Sequence, residues 1–505
     1  MKALSLAPRT GISRRRFLVV AGGLGVLGAI GSDSLLARAS AAPRAVSPID
    51  PRTAGLQALG HDSMRAPGSL PNPSLPPGSD TLPGIGHIVV LMLENHSYDN
   101  VLGMLGRGPG QVPRGDGLTL GADGLPTATN PYGDGRTQHA FRMPTTCQLA
   151  GTPSQQWTAS HVAYDGGRND GFVRAPVSYG STATVGGVAM GYWTEDDLPF
   201  TYGLATAFPV ADRWFCSLLG QTDPNRRYLI AATSAGLTGD LGTGLGNLIP
   251  DVGFVVPAAG TIFNRLDRYG ISWENYVDTY PAGATPILFP VNDLVTELEH
   301  HQPFSNFYAD AAAGRLPAFS LLDPNYSTQS QENPQNIVVG EALLAEVVQA
   351  IGASPQWATT MLVVLYDEHG GYYDHVPPPA ALAPDAIPPL VQLGESPYDG
   401  FWRYGFRVPA VVVSPYAKAN HVSHVTYDHT SVLAMVETKW NLPALTYRDA
   451  NANDLMDFID LAALAARQPT FPSLPALPAP GDTPSALACS TAGPGTIPPP
   501  GSVTS

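Results

Sequence analysis

The stretch IVVLMLENHSYDN, residues 88–100, decides how the chain is read. Six apolar residues, Ile88 to Leu93, stop abruptly at a carboxylate and an amide, Glu94 and Asn95. The pattern returns far along the chain in MLVVLYDEHGGYYDHVPPP, residues 361–379, where Met361 to Tyr366 run straight into Asp367 and Glu368. An unbroken apolar run of this length is the signature of a strand buried on both faces. Further runs of the same kind lie at 271–276, 317–322 and 408–413. Between them, 340–353 and 427–442 carry apolar residues at helical spacing, the second with Asp428 as its expected N-cap. Buried strands alternating with helices predict an α/β fold, a mostly parallel central sheet flanked by helices. Such folds place their sites at the carboxyl ends of strands, which is where Glu94-Asn95 and Asp367-Glu368 fall.

Those four residues all present oxygen. Converging carboxylates repel one another and resist ionisation. A hard divalent cation resolves that conflict, and oxygen ligands suit Ca²⁺, Mg²⁺ or Mn²⁺ better than zinc. One divalent metal ion held by Glu94, Asn95, Asp367 and Glu368 is therefore the expectation, against the plainer reading in which each pair caps a strand or helix. In GQTDPNRRYL, residues 220–229, Thr222 precedes Asp223-Pro224, and proline favours the first turn of a helix. A hydroxyl at a helix N-terminus faces backbone N–H groups that suit phosphate. With a metal beside it, that hydroxyl becomes a nucleophile candidate. His369 and His375 flank the Gly370-Gly371 turn after the acidic pair, and His161 lies in WTASHVAYDGGRNDGF, residues 157–172. Histidines so placed are candidates to touch a phosphoryl oxygen or to protonate a leaving group.

Composition bounds the rest. The 505 residues are 44% hydrophobic and include three cysteines, too few for a disulfide framework. Ser13-Arg14-Arg15-Arg16-Phe17-Leu18 fits a twin-arginine export signal. The apolar stretch from Phe17 to Ile30 is short for a membrane span, and small-residue cleavage sites follow it up to Ala41. The expected organisation is a signal peptide over 1–41, a Pro/Gly/Ser-rich linker over 42–83, a catalytic domain over 84–466 and a Pro-rich, disordered tail over 467–505. The expected partner in export is the twin-arginine translocase, giving a secreted or envelope-associated protein. Losing 1–41 removes six of the 27 basic residues and one of the 42 acidic ones, leaving 21 against 41. So acidic a chain has no footprint for nucleic acid, though it allows transient contact with a membrane surface.

Five segments in order, LENHSYDNVLG, QTDPNRRYL, YDEHGGYYDHVPPP, RVPAVVVSPYA and YDHTSVLAMVE, make residues 85–460 resemble the bacterial phospholipase C and acid phosphatase family of phosphoesterases. That family belongs to the alkaline-phosphatase-like superfamily. The resemblance implies that fold, a single metal on Glu94, Asn95, Asp367 and Glu368, and Thr222 as nucleophile. It also implies His161 and His369 at the phosphate, as catalytic histidines. The substrate it implies is a phospholipid cleaved at its phosphodiester through a phosphothreonine, with small phosphate monoesters, as for an acid phosphatase, as the alternative. Two departures stand out. Gln155-Gln156-Trp157 replaces the family's H-x-W, and Glu332-Asn333-Pro334 replaces Glu-His-Pro. Asn333 can hydrogen-bond a phosphate but cannot supply a proton near neutral pH. Asn333 and His375 are thus expected in substrate binding. A sulfatase is excluded because Cys216 is followed by Ser-Leu-Leu rather than x-P-x-R. A non-catalytic surface protein, using the tail as a spacer, would be expected to have degenerate ligand positions, and these are competent.

Overall fold

In the computed structural model the two apolar runs are neighbouring strands of one eight-stranded sheet. The strands are β1 His87–Leu93, β2 Val210–Ala211, β3 Trp273–Val277, β4 His301–Pro303, β5 Phe319–Asp323, β6 Thr360–Tyr366, β7 Ala410–Val413 and β8 Val422–Ser423. Their order across the sheet is β8-β2-β7-β6-β1-β5-β3-β4. The block from β6 to β4 is parallel, β8 is parallel to β2, and β7 alone runs antiparallel to its two neighbours. The sheet is therefore mixed and mostly parallel, with helices around it, as the apolar runs require. The structure describes residues 50–147, 153–175, 186–241, 256–278, 284–289, 297–326, 329–332, 336–391, 395–476 and 503–504. The export signal, Asn333 and most of the tail, with Cys489, lie outside them.

Register positions the site. β1 pairs with β6 from His87 opposite Thr360 through to Leu93 opposite Tyr366. Both strands thus end at one level, and Glu94 and Asp367 emerge side by side. β5 lies on the other side of β1 and ends in Asp323, so a third carboxylate stands at the same edge. Every residue from Ile88 to Leu93 and from Thr360 to Tyr366 is buried, which is why these strands carry no polar alternation. Each large side chain so buried stabilises the fold by roughly 1.5–3 kcal/mol. Among the helices are α1 Pro51–Leu59, α2 Trp157–Tyr164, α3 Thr222–Ala231, α4 Ile337–Ala353 and α5 Thr430–Trp440.

Three expectations are corrected here. The segment before β1 is not an extended linker over its described part. It opens with α1, capped by Asp50, and then straps onto the body through side-chain amides. Arg65 N donates to Asn451 Oδ1 at 2.7 Å and Asn72 N to Asn441 Oδ1 at 2.9 Å. The tail is likewise ordered against the body as far as residue 476, with Thr470 N donating to Pro415 O at 2.7 Å and Gln349 Nε2 to Pro475 O at 3.0 Å. Asp428 does not cap α5, which starts after His429. Its carboxylate is buried and serves the core instead, accepting from Ser217 Oγ at 2.9 Å and pairing with Arg448 at 3.3 Å.

Candidate active site

The site starts from how β1 and β6 stop. Asn95 adopts φ 62, a left-handed conformation that ends the strand and turns its side chain into the sheet edge. Asp367 Oδ1 then accepts the Asn95 N–H at 3.0 Å and the Glu368 N–H at 2.7 Å. The chain leaves through Gly370, at φ 63, where a Cβ would sit 1.8 Å from Asn95 O. Only glycine fits there, so the turn draws Glu368 against Asn95.

One end of the Asn95 side-chain amide lies 2.6 Å from Glu368 Oε1, 3.2 Å from Glu94 Oε2 and 3.3 Å from Asp367 Oδ1. The same end is 3.4 Å from Thr222 Oγ1. Two arrangements satisfy this crowding. With its nitrogen turned inward, the amide donates to all three carboxylates. With its oxygen inward, four acceptors and a hydroxyl face one point, which a cation, or a proton kept on one carboxyl, reconciles. All five residues are buried. Burial, then the nearby Asp367 charge, pushes the Glu368 carboxyl well above its usual range. Burial does the same to Glu94 against the opposing pull of Arg226. The donor set therefore fits a hard divalent ion. The acidic excess is large: among the described residues Glu94, Asp367 and Asp323 share the buried guanidinium of Arg226, and Glu368 lies beside them without an arginine partner.

Thr222 reaches this point because α3 begins there. Asn225 fastens the preceding loop, accepting from Leu218 N at 3.1 Å and donating to Gly220 O at 3.1 Å and Gln221 O at 3.0 Å. The helix's positive end is already partly used, since Asp240 Oδ1 accepts the Asp223 N–H at 2.9 Å. Arg226, one turn on from Thr222, pairs with Glu94, Asp367 and Asp323. Sequence reasoning missed Arg226, Asp323 and Asp240. The i, i+4 spacing of Thr222 and Arg226 on one helix face was the available signal for the first of these.

The histidines divide. His161 accompanies Trp157 on α2 and donates from Nδ1 to Trp157 O at 2.7 Å. Its ring stacks on Tyr398 at 3.9 Å, and Nε2 stands 3.8 Å from Asp399 Oδ1. His369 is fully buried beside Phe406 and Phe172, with Nδ1 3.3 Å from Glu368 Oε2 and no hydrogen bond at either ring nitrogen among the described residues. Burial lowers its imidazole to about 3, so it is neutral. His375 is corrected. Its Nδ1 lies 2.7 Å from Asp99 Oδ2 and its Nε2 3.2 Å from Asp116 Oδ1, in a network completed by Arg407 and Asp374. The turn after Glu368 carries it out of the carboxylate cluster. Asp99, Asp374 and His375 bring possible ligand atoms within 4.8 Å of one another, but the Arg407 guanidinium already supplies that cluster's cation. Cys147 is disulfide-bonded, and Cys216 is a free, buried thiol. Among the described residues no helix is long and apolar enough to cross a membrane.

Residues 85–443 match the model of the Phosphoesterase family. The chain is 30% identical over 415 residues to phospholipase C B of Mycobacterium tuberculosis, covering 75% of this chain and 79% of that one. It is 31% identical over 387 residues to non-specific phospholipase C1 of Arabidopsis thaliana, covering 72% and 68%. Among solved structures, a protein in the alkaline phosphatase superfamily from Vibrio parahaemolyticus aligns over 63% of this chain and 74% of its own, at 12% identity and a TM-score of 0.32.

Proposed function

Because the chain belongs to the phosphoesterase family and is a hydrolase of phosphoric ester bonds, we propose that it is an exported, metal-dependent phospholipase C with Thr222 as its nucleophile. The observation that carries this reading is the position of Thr222 Oγ1, 3.4 Å from the Asn95 amide end on which the strand-end carboxylates converge. Glu94, Asn95, Asp367 and Glu368 are the residues that would hold the ion. When bound, it would supply electrostatic stabilisation of negative oxygen and a lowered pKa for a nearby hydroxyl.

The chain's own residues do the rest. α3 and the Asn225-fastened loop hold the Thr222 hydroxyl in place, so that little reorientation separates it from in-line attack. Once the Thr222 hydroxyl has given its proton to solvent, the Oγ–P bond forms as the bond from phosphorus to the glycerol oxygen breaks, leaving the head-group phosphate on Thr222. Oγ takes a proton back from solvent when that phosphate is later released. The departing alkoxide takes a proton from Nε2 of His161, whose ring is held by the Nδ1–H bond to Trp157 O and whose Nε2 stands 3.8 Å from Asp399 Oδ1. Water, deprotonated in turn by His161, then cleaves the phosphothreonine and releases the phosphorylated head group. His369, neutral and enclosed by Phe172 and Phe406, packs behind Glu368 and is less suited to proton transfer.

Hydrolysis of p-nitrophenyl phosphorylcholine and p-nitrophenyl phosphate by the protein, with Thr222→Ala and EDTA-treated samples beside it, tests this. Diester turnover lost in both controls is expected. Turnover of the monoester alone would favour a phosphatase, and undiminished turnover by Thr222→Ala would remove Thr222 from the mechanism.

A further inference from the structure

Arg226 is 2% exposed, and every polar atom of its guanidinium is engaged at the sheet edge. Nη2 pairs with Glu94 Oε1 and lies 3.4 Å from Met92 O, Nε lies 3.4 Å from Asp367 Oδ2, and Nη1 lies 3.6 Å from Asp323 Oδ1. Its flat face rests on the Tyr326 ring, 4.8 Å from the centroid. The division of oxygens is the informative point. Glu94 gives Oε1 to Arg226 and turns Oε2 toward Asn95. Asp367 gives Oδ2 to Arg226 and turns Oδ1 toward Asn95 and Glu368. One guanidinium thus holds one oxygen from each of two neighbouring strand ends and leaves the other oxygen of each facing the common point.

We infer that Arg226 is a positioning residue that presents Glu94 Oε2 and Asp367 Oδ1, one oxygen from each carboxylate, to a divalent cation. The inference rests on the reading of the strand-end cluster as a metal site. A guanidinium suits this task because its planar fork fixes two carboxylates at set angles, where a lysine ammonium imposes none. Arg226 also stands one helical turn from Thr222, so the same contacts that aim the carboxylates anchor α3 against β1 and β6. The nucleophile and the ligand oxygens are therefore located by one side chain. A purely electrostatic view makes the opposite forecast, because a resident positive charge beside a cation site repels the cation, and removing it should tighten binding.

Isothermal titration of Mn²⁺ and of Ca²⁺ into the EDTA-stripped, dialysed protein separates these views. Arg226→Lys keeps the charge and removes the fork. The expected result is a 10- to 100-fold rise in Kd, the range typical of lost outer partners of metal ligands, together with a lower metal-free melting temperature, because the same fork anchors α3. Tyr326→Leu, which removes the supporting ring without altering any charge, is expected to raise Kd several-fold and keeps the test open if Arg226→Lys does not fold. Wild-type affinity in either folded variant, or tighter binding in Arg226→Met, would overturn the assignment. Wild-type protein that binds neither ion would overturn the metal reading itself, and the assignment with it.

Discussion

Two acidic clusters, one reaching the surface and one buried, lie within a few residues of each other in sequence, and they are built in opposite ways. In the first, Asp99, Asp116 and Asp374 surround His375 and Arg407. Arg407 donates to Asp374 Oδ1 at 2.9 Å, to Asp99 Oδ1 at 3.2 Å, and to the main-chain oxygens of Asp116 and Asp212 at 2.7 and 2.9 Å. His375 bridges Asp99 and Asp116. Apart from Asp374 Oδ2, which has no hydrogen-bond partner among the described residues, donors meet acceptors, and the positive groups come close to balancing the negative ones. In the second, at the ends of β1 and β6, oxygen faces oxygen around Asn95, and among the described residues one guanidinium, that of Arg226, pairs with Glu94, Asp367 and Asp323 while Glu368 has none. A cluster whose charges nearly balance holds the fold together. A cluster left with an acidic excess and a threonine hydroxyl beside it is suited to a ligand that comes from outside.

That contrast can be broken by mutation. The largest expected effect is from Thr222→Ala, which should lower diester turnover by on the order of 10³-fold or more while leaving Mn²⁺ affinity near the wild-type value; a p-nitrophenol release assay and a titration measure the two. His161→Asn should cost about 10²–10⁴-fold on a phospholipid, whose alkoxide leaving group needs a proton. It should cost clearly less on p-nitrophenyl phosphorylcholine, whose leaving group does not, and comparing kcat on the two substrates reads this out. Glu368→Gln should weaken divalent metal binding by at least about 100-fold, beyond the loss usual for an outer partner, with a near wild-type melting temperature in EDTA.

His375→Gln should do the reverse, leaving metal affinity unchanged and lowering stability in a pH-dependent way. Burial pulls the His375 imidazole down, but the Asp116 and Asp99 hydrogen bonds outweigh it and hold it at about 10. The His375 hydrogen bond in turn holds Asp116 at about 2. A raised imidazole stabilises in full below its unfolded value of about 6.5 and loses that contribution as pH climbs through 10. A depressed carboxylate contributes above about 3.9 and loses it toward 2. The gap in melting temperature between wild type and His375→Gln should therefore be widest between about pH 4 and 6.5 and close by about pH 10. In a chain of this length it should amount to about 1–2 °C per kcal/mol.

The comparison also marks what the sequence could tell. β1, β5 and β6 were legible because strands covered on both faces must be apolar throughout, and their abrupt polar ends named Glu94, Asn95, Asp367 and Glu368. The place of Thr222 at a helix start was legible through Asp223-Pro224. β2 and β8 have two residues each, too few to show any period. Arg226 was hidden because an arginine in PNRR reads as helix surface, and only the packing of α3 on the sheet edge turns it inward. His375 was misplaced because closeness in sequence to Asp367 stood in for closeness in space, and the Gly370 turn breaks that link. The strap before β1 looked like a linker because its Pro and Gly content hides partners such as Asn441 and Asn451, hundreds of residues away.

In the mechanism proposed above, phosphorus is attacked by Thr222 at the strand-end cluster. The most direct test is acid quenching of the protein during turnover of p-nitrophenyl phosphorylcholine, followed by peptide mass spectrometry. The account predicts a phosphocholine adduct on the peptide carrying Thr222, absent from Thr222→Ala and from EDTA-treated protein. An adduct on any other residue, or wild-type turnover in Thr222→Ala, would contradict it.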